Sequence, residues 1–409
     1  MRSMTITNIQ LNIIPDSRGE DTLEAEIISG EYRVTASVPS GKSKGKNEAF
    51  VLEPKKALEK FTEIKSQLLE KDFSSLEEFD NFLISLDGTP KKENLGGNLI
   101  LVLSLGFTKL LAKADGLELY EEIAKISGVK AEKLPLCLFN LIEGGVHIHP
   151  APNGAGLPFQ EYLYIPQINS PKESLAEVML VIRSLGEEIH QKYEHLRQGD
   201  EGGYTIPSND PLVGLEFLQG QALLRLARPG LAENYRLGLD VAASTFFHDG
   251  LYLVGDKTMT SEQLFSYYKL LTTNYQLLSI EDPFAEDDFE GFINLTRELG
   301  EKVWIVGDDI TTTNPESIKI AHEKNAINAV IIKPNQIGSV TETIRAANLA
   351  KSFGWKIIVS HRSGETKDTF IADLAVGLGA DGLKSGCPLQ EARLVKYQRL
   401  VEIEEKWHI

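Results

Sequence analysis

A chain of 409 residues is too long for one ordinary core and suits a β/α barrel of roughly 250 residues plus a second domain. Acidic residues outnumber basic ones 59 to 42, and the resulting net charge of −17 opposes nonspecific binding to nucleic acid or to an anionic lipid surface. No apolar run is long enough for a bilayer and no secretory leader is evident, and the only cysteines, Cys137 and Cys387, lie 250 positions apart, which excludes a Cys-based zinc site. The expectation is a protein of the reducing cytoplasm, with isolated thiols and no nucleic-acid or membrane partner. Any anionic substrate then needs a local basic pocket.

Residues 4 to 37 alternate apolar and polar in the manner of strands, broken by turn-rich stretches at Pro15 to Gly19 and at Ser29-Gly30, and predict a small antiparallel sheet. From Pro54 the spacing becomes helical, with apolar stripes through Leu58, Phe61, Ile64 and Leu68, then Leu101, Leu105, Leu110 and Leu111. We read residues 1–127 as an α+β lid domain and 134–409 as a catalytic barrel domain, joined by a short connector. The barrel opens with strands at Leu136 to Asn140 and Tyr162 to Ile165, followed by two helix-length segments, about 172 to 197 and 211 to 228. After that irregular start, regular strand-helix units predict eight barrel strands.

Six apolar runs each stop at a charged residue: Asp240, Glu281, Asp308, Lys333, His361 and Lys384, with gaps of 41, 27, 25, 28 and 23 residues. Those gaps match one strand-plus-helix unit, and in a parallel barrel the strands' C-terminal ends face one mouth where active sites are built. Three hard oxygen donors suit a divalent cation such as Mg²⁺, and two lysines beside it suit an anionic substrate. Any one of these carboxylates alone reads as a helix cap or half of a salt bridge. Three at successive strand ends point instead to metal-assisted chemistry on an acid.

The motifs extend this reading. Ser40-Gly41-Lys42-Ser43-Lys44-Gly45, Gly199-Asp200-Glu201-Gly202-Gly203, Ser279-Ile280-Glu281-Asp282-Pro283-Phe284, Gly307-Asp308-Asp309, Lys333-Pro334-Asn335-Gln336-Ile337-Gly338 and Ser360-His361-Arg362-Ser363-Gly364-Glu365-Thr366 occur in order, and similarity runs from Asp16 to Tyr397. This set closely resembles the enolase family, the glycolytic 2-phosphoglycerate dehydratases. The resemblance implies a ββαα(βα)6 barrel with an N-terminal α+β domain, and two Mg²⁺ ions per active site. It also implies a small-molecule substrate pair, 2-phosphoglycerate and phosphoenolpyruvate, and a homodimer or higher homo-oligomer.

The same resemblance assigns roles. Asp240, Glu281 and Asp308 match the ligands of one Mg²⁺, and Ser40, on a loop that closes over the substrate, matches a ligand of the second. Lys333 matches the general base at C2, where nearby cations are expected to lower its pKa. Glu201 matches the acid that protonates the departing hydroxyl, with Glu161 beside it, and two carboxylates in one region are expected to raise each other's pKa. Glycines flanking Glu201 suggest close backbone approach to a ligand. Arg362 and Ser363 resemble a phosphate grip, while His147, Gln160, His361 and Lys384 complete the substrate surroundings. The Gly-Lys-Ser in the first loop is not a P-loop, because Ala36 stands where that motif requires glycine.

Four features depart from the family pattern. Glu143 replaces the usual asparagine of Asn-Gly-Gly and puts a carboxylate near the site, where it would weaken an anionic substrate or bind a cation. The loop between His147 and Gln160 is longer than usual, and its His147 and His149 have a spacing that a metal can use. Lys42 and Lys44 stand where small or hydroxyl residues are common, and would offset Glu143. Ser385 and Cys387 follow Lys384 where threonine and alanine are frequent. Two other readings stay open on the sequence: enolate chemistry on a different carboxylate, and a noncatalytic binding protein on the same scaffold.

Overall fold

A computed structural model describes residues 3–42, 45–149, 154–194, 196–226 and 235–407. Strands Asn8–Pro15, Asp21–Ser29 and Tyr32–Ser37 form an antiparallel meander. Its register sets Leu11 opposite Ala25 and Ala25 opposite Ala36, so period-two alternation gathers the apolar side chains on one face. Helix Gly97–Asp115 covers that face. By length and composition it is apolar enough to cross a membrane, although the sequence shows no uninterrupted run of that length. In the fold, 83% of its apolar window is buried inside the protein. Helix Pro54–Leu68 starts where Glu53 caps the amides of Lys55 and Lys56, and helix Leu76–Asp87 starts where Ser75 caps Glu78. Phe73, Phe79 and Phe107 pack edge-on and stacked between the second helix and the long one.

Eight strands close the barrel: β1 Leu136–Glu143, β2 Glu161–Pro166, β3 Tyr235–Asp240, β4 Leu277–Glu281, β5 Trp304–Gly307, β6 Ala329–Ile332, β7 Lys356–Ser360 and β8 Gly382–Lys384. Pairing of Gly382 with Leu136 joins β8 back to β1. One strand runs against the other seven, in keeping with the expected ββαα start: β2 is antiparallel to both β1 and β3. The cause is the β1–β2 connection: among the described residues it contains only one 3₁₀ turn, Gly145–His147, and a parallel return needs a crossover that normally includes a helix. The N-terminal end of β2 therefore reaches the mouth, and Glu161 sits opposite both Glu143 and Asp240.

The two helices expected before β3 are present as Pro171–Tyr193 and Leu212–Leu226. The longest gap in the strand-end series, from Asp240 to Glu281, holds an extra three-stranded sheet built from Phe247–His248, Leu251–Val254 and Lys257–Met259. Leu138, Leu163, Ile165, Val306, Ala329, Ile331 and Ile358 fill the barrel interior, leaving the polar strand ends as the layer above them.

Candidate active site

One recess at the mouth is lined by side chains from every quarter of the barrel, among them Gln160, Glu161, Asp240, Asp308, Lys333 and Lys384. Five of the six expected strand-end charges line it, Asp240, Asp308, Lys333, His361 and Lys384, and Glu281 stands behind them against Lys384. Lys384 Nζ sits among carboxylates, 2.7 Å from Glu281, 3.0 Å from Asp240 and 3.4 Å from Glu161. Burial opposes its charge, but those three carboxylates hold its pKa well above the usual lysine range. Gln160 Nε2 donates to Asp240 at 3.3 Å. Lys333 forms an ion pair with Asp308, whose other oxygen accepts from Gln336 Nε2 at 2.8 Å.

The lysine expected to be a poised base is drawn toward its charged form by its ion pair with Asp308. Burial pushes the Lys333 pKa down, aided by Arg362 and Lys384, yet the Asp308 carboxylate outweighs them and the pKa is raised. Carboxyl oxygens that approach within 4.8 Å of one another belong to Asp282, Asp308 and Asp309, and a second such group joins His147, Glu161 and Glu201. Asp282, which sequence reasoning passed over, takes the backbone N–H groups of Asp308 and Asp309, both at 2.9 Å, and so shapes the end of β5.

On the other side of the recess, Glu201 accepts from Asn140 Nδ2 at 3.1 Å and faces His361 Nε2 at 3.2 Å and His147 Nδ1 at 3.6 Å. Arg393 contacts His361 Nδ1 at 2.7 Å, and a guanidinium only donates, so the neutral ring carries its proton on Nε2, toward Glu201. Burial, first, pushes the His361 pKa down to about 3, which keeps it neutral. The paired carboxylates do not rise together. Burial and then the Glu201 charge drive Glu161 well above the carboxylate range. For Glu201 burial pushes upward too, but the facing imidazoles and Arg393 outweigh it and hold Glu201 well below that range. Neighbouring carboxyls are thus split into a protonated and an ionised member.

Arg362 is 5% exposed and grips Glu48 with both terminal nitrogens, at 3.1 and 3.2 Å, while reaching Asn335 at 3.0 Å. Ser363 Oγ accepts from Arg18 at 3.3 Å and from the Lys42 backbone N–H at 3.0 Å. Ser40 is not brought to the acidic cluster. Its hydroxyl donates to Asp16 at 2.5 Å and accepts from Arg18 at 2.8 Å, and its backbone bridges to Gly364. Arg18, Glu48 and Arg393 were missed because each reaches the site from a distant part of the chain, with no strand-end signal to mark it.

Comparison with known proteins decides the family. Residues 6–123 match the family model described as "Enolase, N-terminal domain", and residues 131–408 match "Enolase, C-terminal TIM barrel domain". An "Enolase 2" of Hevea brasiliensis is 38% identical over 99% of this chain and 96% of its own length. Proteins named "Enolase" from Methanopyrus kandleri and Thermococcus gammatolerans are 38% and 39% identical, each over 98% of this chain and 95% of theirs. The chain belongs to the enolase family.

It is an enzyme of the hydro-lyase class, a phosphopyruvate hydratase, with a small-molecule substrate of the 2-phosphoglycerate type. Members of the enolase family use a divalent metal, Mg²⁺, and the residues present fit one. Asp240, Glu281 and Asp308 are buried hard donors, two lysines supply counter-charge, and Glu281 Oε1 is buried with no hydrogen-bond partner. Burial and Asp240 push the Glu281 pKa up to about 8, more than the neighbouring Lys384 pulls it down.

Glu143 does not line the recess; its carboxyl turns to backbone N–H groups of the Glu201 loop. Lys42 pairs with Asp200 at 3.0 Å, while Lys44 and residues 150–153 of the long loop lie outside the described residues. His147 faces the recess and His149 lines a separate small one with Arg197, so the two do not form a metal pair. Cys137 and Cys387 are free and buried, and burial pushes both thiols up to about 12.

Proposed function

We propose that this site interconverts 2-phospho-D-glycerate and phosphoenolpyruvate with Lys333 as base and Glu201 as acid. Lys333 acts as its neutral amine, the form that burial, Arg362 and Lys384 favour once Asp308 no longer pairs with it. It takes the proton from C2, the C2–H electron pair becomes the C2=C3 double bond, and the C3 hydroxyl departs as water with a proton that Glu161, the protonated member of the pair, supplies through Glu201. The observation that carries this reading is that Lys333 and Glu201 line one buried recess from different parts of the barrel, each with its own partners. Removing a proton beside a carboxylate concentrates negative charge on a small fragment, and the bound metal supplies the positive charge that makes this tolerable.

Asp240, Glu281 and Asp308 hold the first Mg²⁺. Ser40, once its loop leaves Asp16 and Arg18, serves a second, making two ions per active site. Glu161 and His361 act with Glu201 in proton transfer, and Arg362 and Ser363 hold the phosphoryl group, with His147, Gln160 and Lys384 around the rest of the substrate. Residues 1–127 act as the lid domain and 134–409 as the catalytic domain of a cytoplasmic homo-oligomer. The deciding experiment follows the absorbance rise of phosphoenolpyruvate when 2-phosphoglycerate is added, with Mg²⁺ and then with chelator. Metal-dependent turnover is expected, and no turnover by folded, Mg²⁺-bound protein would overturn the substrate assignment.

A further inference from the structure

Three buried carboxyl groups crowd the end of β1 and the start of β2, and the proposed chemistry uses only Glu161 and Glu201. The third, Glu143, is 0% exposed, and among the described residues no lysine or arginine forms an ion pair with it. What it accepts is backbone: the N–H of Glu201 at 3.0 Å on Oε2, and the N–H of Gly203 at 2.5 Å on Oε1. The approach is so close that a Cβ at Gly199 would lie 2.4 Å from Glu143 Oε2, and one at Gly203 would lie 3.1 Å from Oε1. Gly199 and Gly203 therefore make room for this carboxyl, while Gly202 lies against Gln390 and Cys387 at a positive φ.

The rest of the loop is held by backbone bonds and, at Asp200 alone, by Lys42, Gln390 and Arg393. Gly199 N–H donates to Gly203 O at 2.9 Å, Asp200 N–H to His147 O at 3.0 Å, and Cys387 N–H to Glu201 O at 3.0 Å. Glu143 is thus the side chain that clamps the Glu201 and Gly203 amides of a short loop whose one reacting group must face Asn140, His147 and His361. Compared with the asparagine that the family usually carries here, it is one methylene longer and offers two acceptor oxygens, so it takes two N–H groups at once. Burial, first, and the Glu201 charge push its own carboxyl well above the usual range, while the Glu201 and Gly203 amides that it accepts pull the other way.

We propose that Glu143 is the positioning residue of the acid loop: by accepting the Glu201 and Gly203 amides it fixes the Glu201 carboxyl against His361 and His147 in the geometry that protonates the leaving hydroxyl. This rests on the reading of Glu201 as the acid. Its signature is selective, because Lys333 lies on another strand and removes the C2 proton without help from the loop.

The test measures kcat and KM for 2-phosphoglycerate with Mg²⁺, solvent deuterium entering C2 of unreacted substrate, and hydrogen exchange of the amides in residues 199–203, for wild type, Glu143→Ala, Glu143→Asp and Glu143→Gln. Glu143→Ala is expected to lose about a hundredfold in kcat, with KM changed by no more than about twofold. Deuterium entry at C2 should persist in that variant, and its loop amides should exchange faster. Glu143→Gln, which keeps an acceptor toward Gly203 but not toward Glu201, should recover part of the rate and of the protection. Wild-type kcat in a folded Glu143→Ala protein overturns the proposal, as does equal loss of turnover and of C2 exchange. If Glu143→Ala does not fold, Glu143→Asp decides: it is too short for both amides, so it should turn over more slowly than Glu143→Gln with C2 exchange intact, and equality with wild type overturns the proposal. A wild type inert toward 2-phosphoglycerate overturns the parent reading instead, and the positioning role with it.

Discussion

Lys333 shows how a single residue can be legible in type and illegible in state. Its place after an apolar strand marks a functional lysine, but the direction of its pKa depends on which of Asp308, Arg362 and Lys384 stands closest, a distance no sequence spacing contains. Lys333→Ala should lower turnover at least about a thousandfold. It also leaves the buried Asp308 carboxylate without its cation, so in the presence of chelator the variant should be less stable than wild type by about 3 kcal/mol in urea unfolding. Added Mg²⁺ should close most of that gap, and near-normal turnover in the variant would remove Lys333 from the mechanism. Arg393 makes the complementary case. Wholly buried, it gives Nε to Gln390, one terminal nitrogen to His361 Nδ1 and the other to the Ser363 carbonyl, each at 2.7 Å. A lysine has one nitrogen for these three acceptors. Arg393→Lys should therefore cost about tenfold in kcat and shift its pH profile, because the His361 tautomer is no longer imposed. An unchanged pH profile would assign Arg393 to packing alone.

At the scale of elements, what the sequence reveals is set by burial. Strands that are apolar on both faces end abruptly at the mouth, so the charges that close β3 through β8 announce themselves, whereas the 41-residue gap, read with the others as one strand-plus-helix unit, also holds the extra sheet before β4. The direction of β2 is not legible in its own residues, because a short run buried on both faces has no polarity, and it comes only with the ββαα order that the resemblance implies. The loop from Ser40 to Lys46 was legible as a motif but not in its anchors. Lys42 pairs with Asp200 at 3.0 Å, and Lys46 with Glu286 at 3.0 Å and Asp287 at 2.7 Å, each bridge linking the N-terminal domain to a barrel loop. These are partly exposed pairs that salt screens. Lys42→Ala should raise KM by roughly threefold at low ionic strength with kcat little changed, and the difference should fade near about 0.5 M salt. A salt-independent difference would mean that Lys42 touches substrate directly rather than holding the loop.

At the scale of the whole molecule, the two domains meet where the N-terminal one caps a barrel helix. Helix Val340–Ser352 begins with free amides, and the Val340 N–H donates to Ser104 Oγ at 2.9 Å while the Thr341 N–H donates to Asp80 Oδ2, also at 2.9 Å. Both acceptors come from the N-terminal domain, from helices Gly97–Asp115 and Leu76–Asp87. Asp80 is fully buried, and burial pushes its pKa up to about 6 against the pull of the Thr341 and Ser104 contacts, with Glu342 adding repulsion. Lys92 lies nearby but is paired with Glu342 at 3.1 Å. The sign follows from linkage: a carboxyl whose folded pKa lies above its unfolded value of about 3.9 gives its full stability below that value and loses it as pH rises through about 6. The gap corresponds to about 3 kcal/mol. Urea unfolding of wild type and Asp80→Asn should therefore show wild type losing about that much relative to the variant between pH 4 and pH 7.5, with a constant difference above. Parallel stability curves across this range would mean that Asp80 titrates as it does in the unfolded chain, and the helix cap would then be a carboxylate bond that strengthens the domain contact at neutral pH rather than one that weakens it.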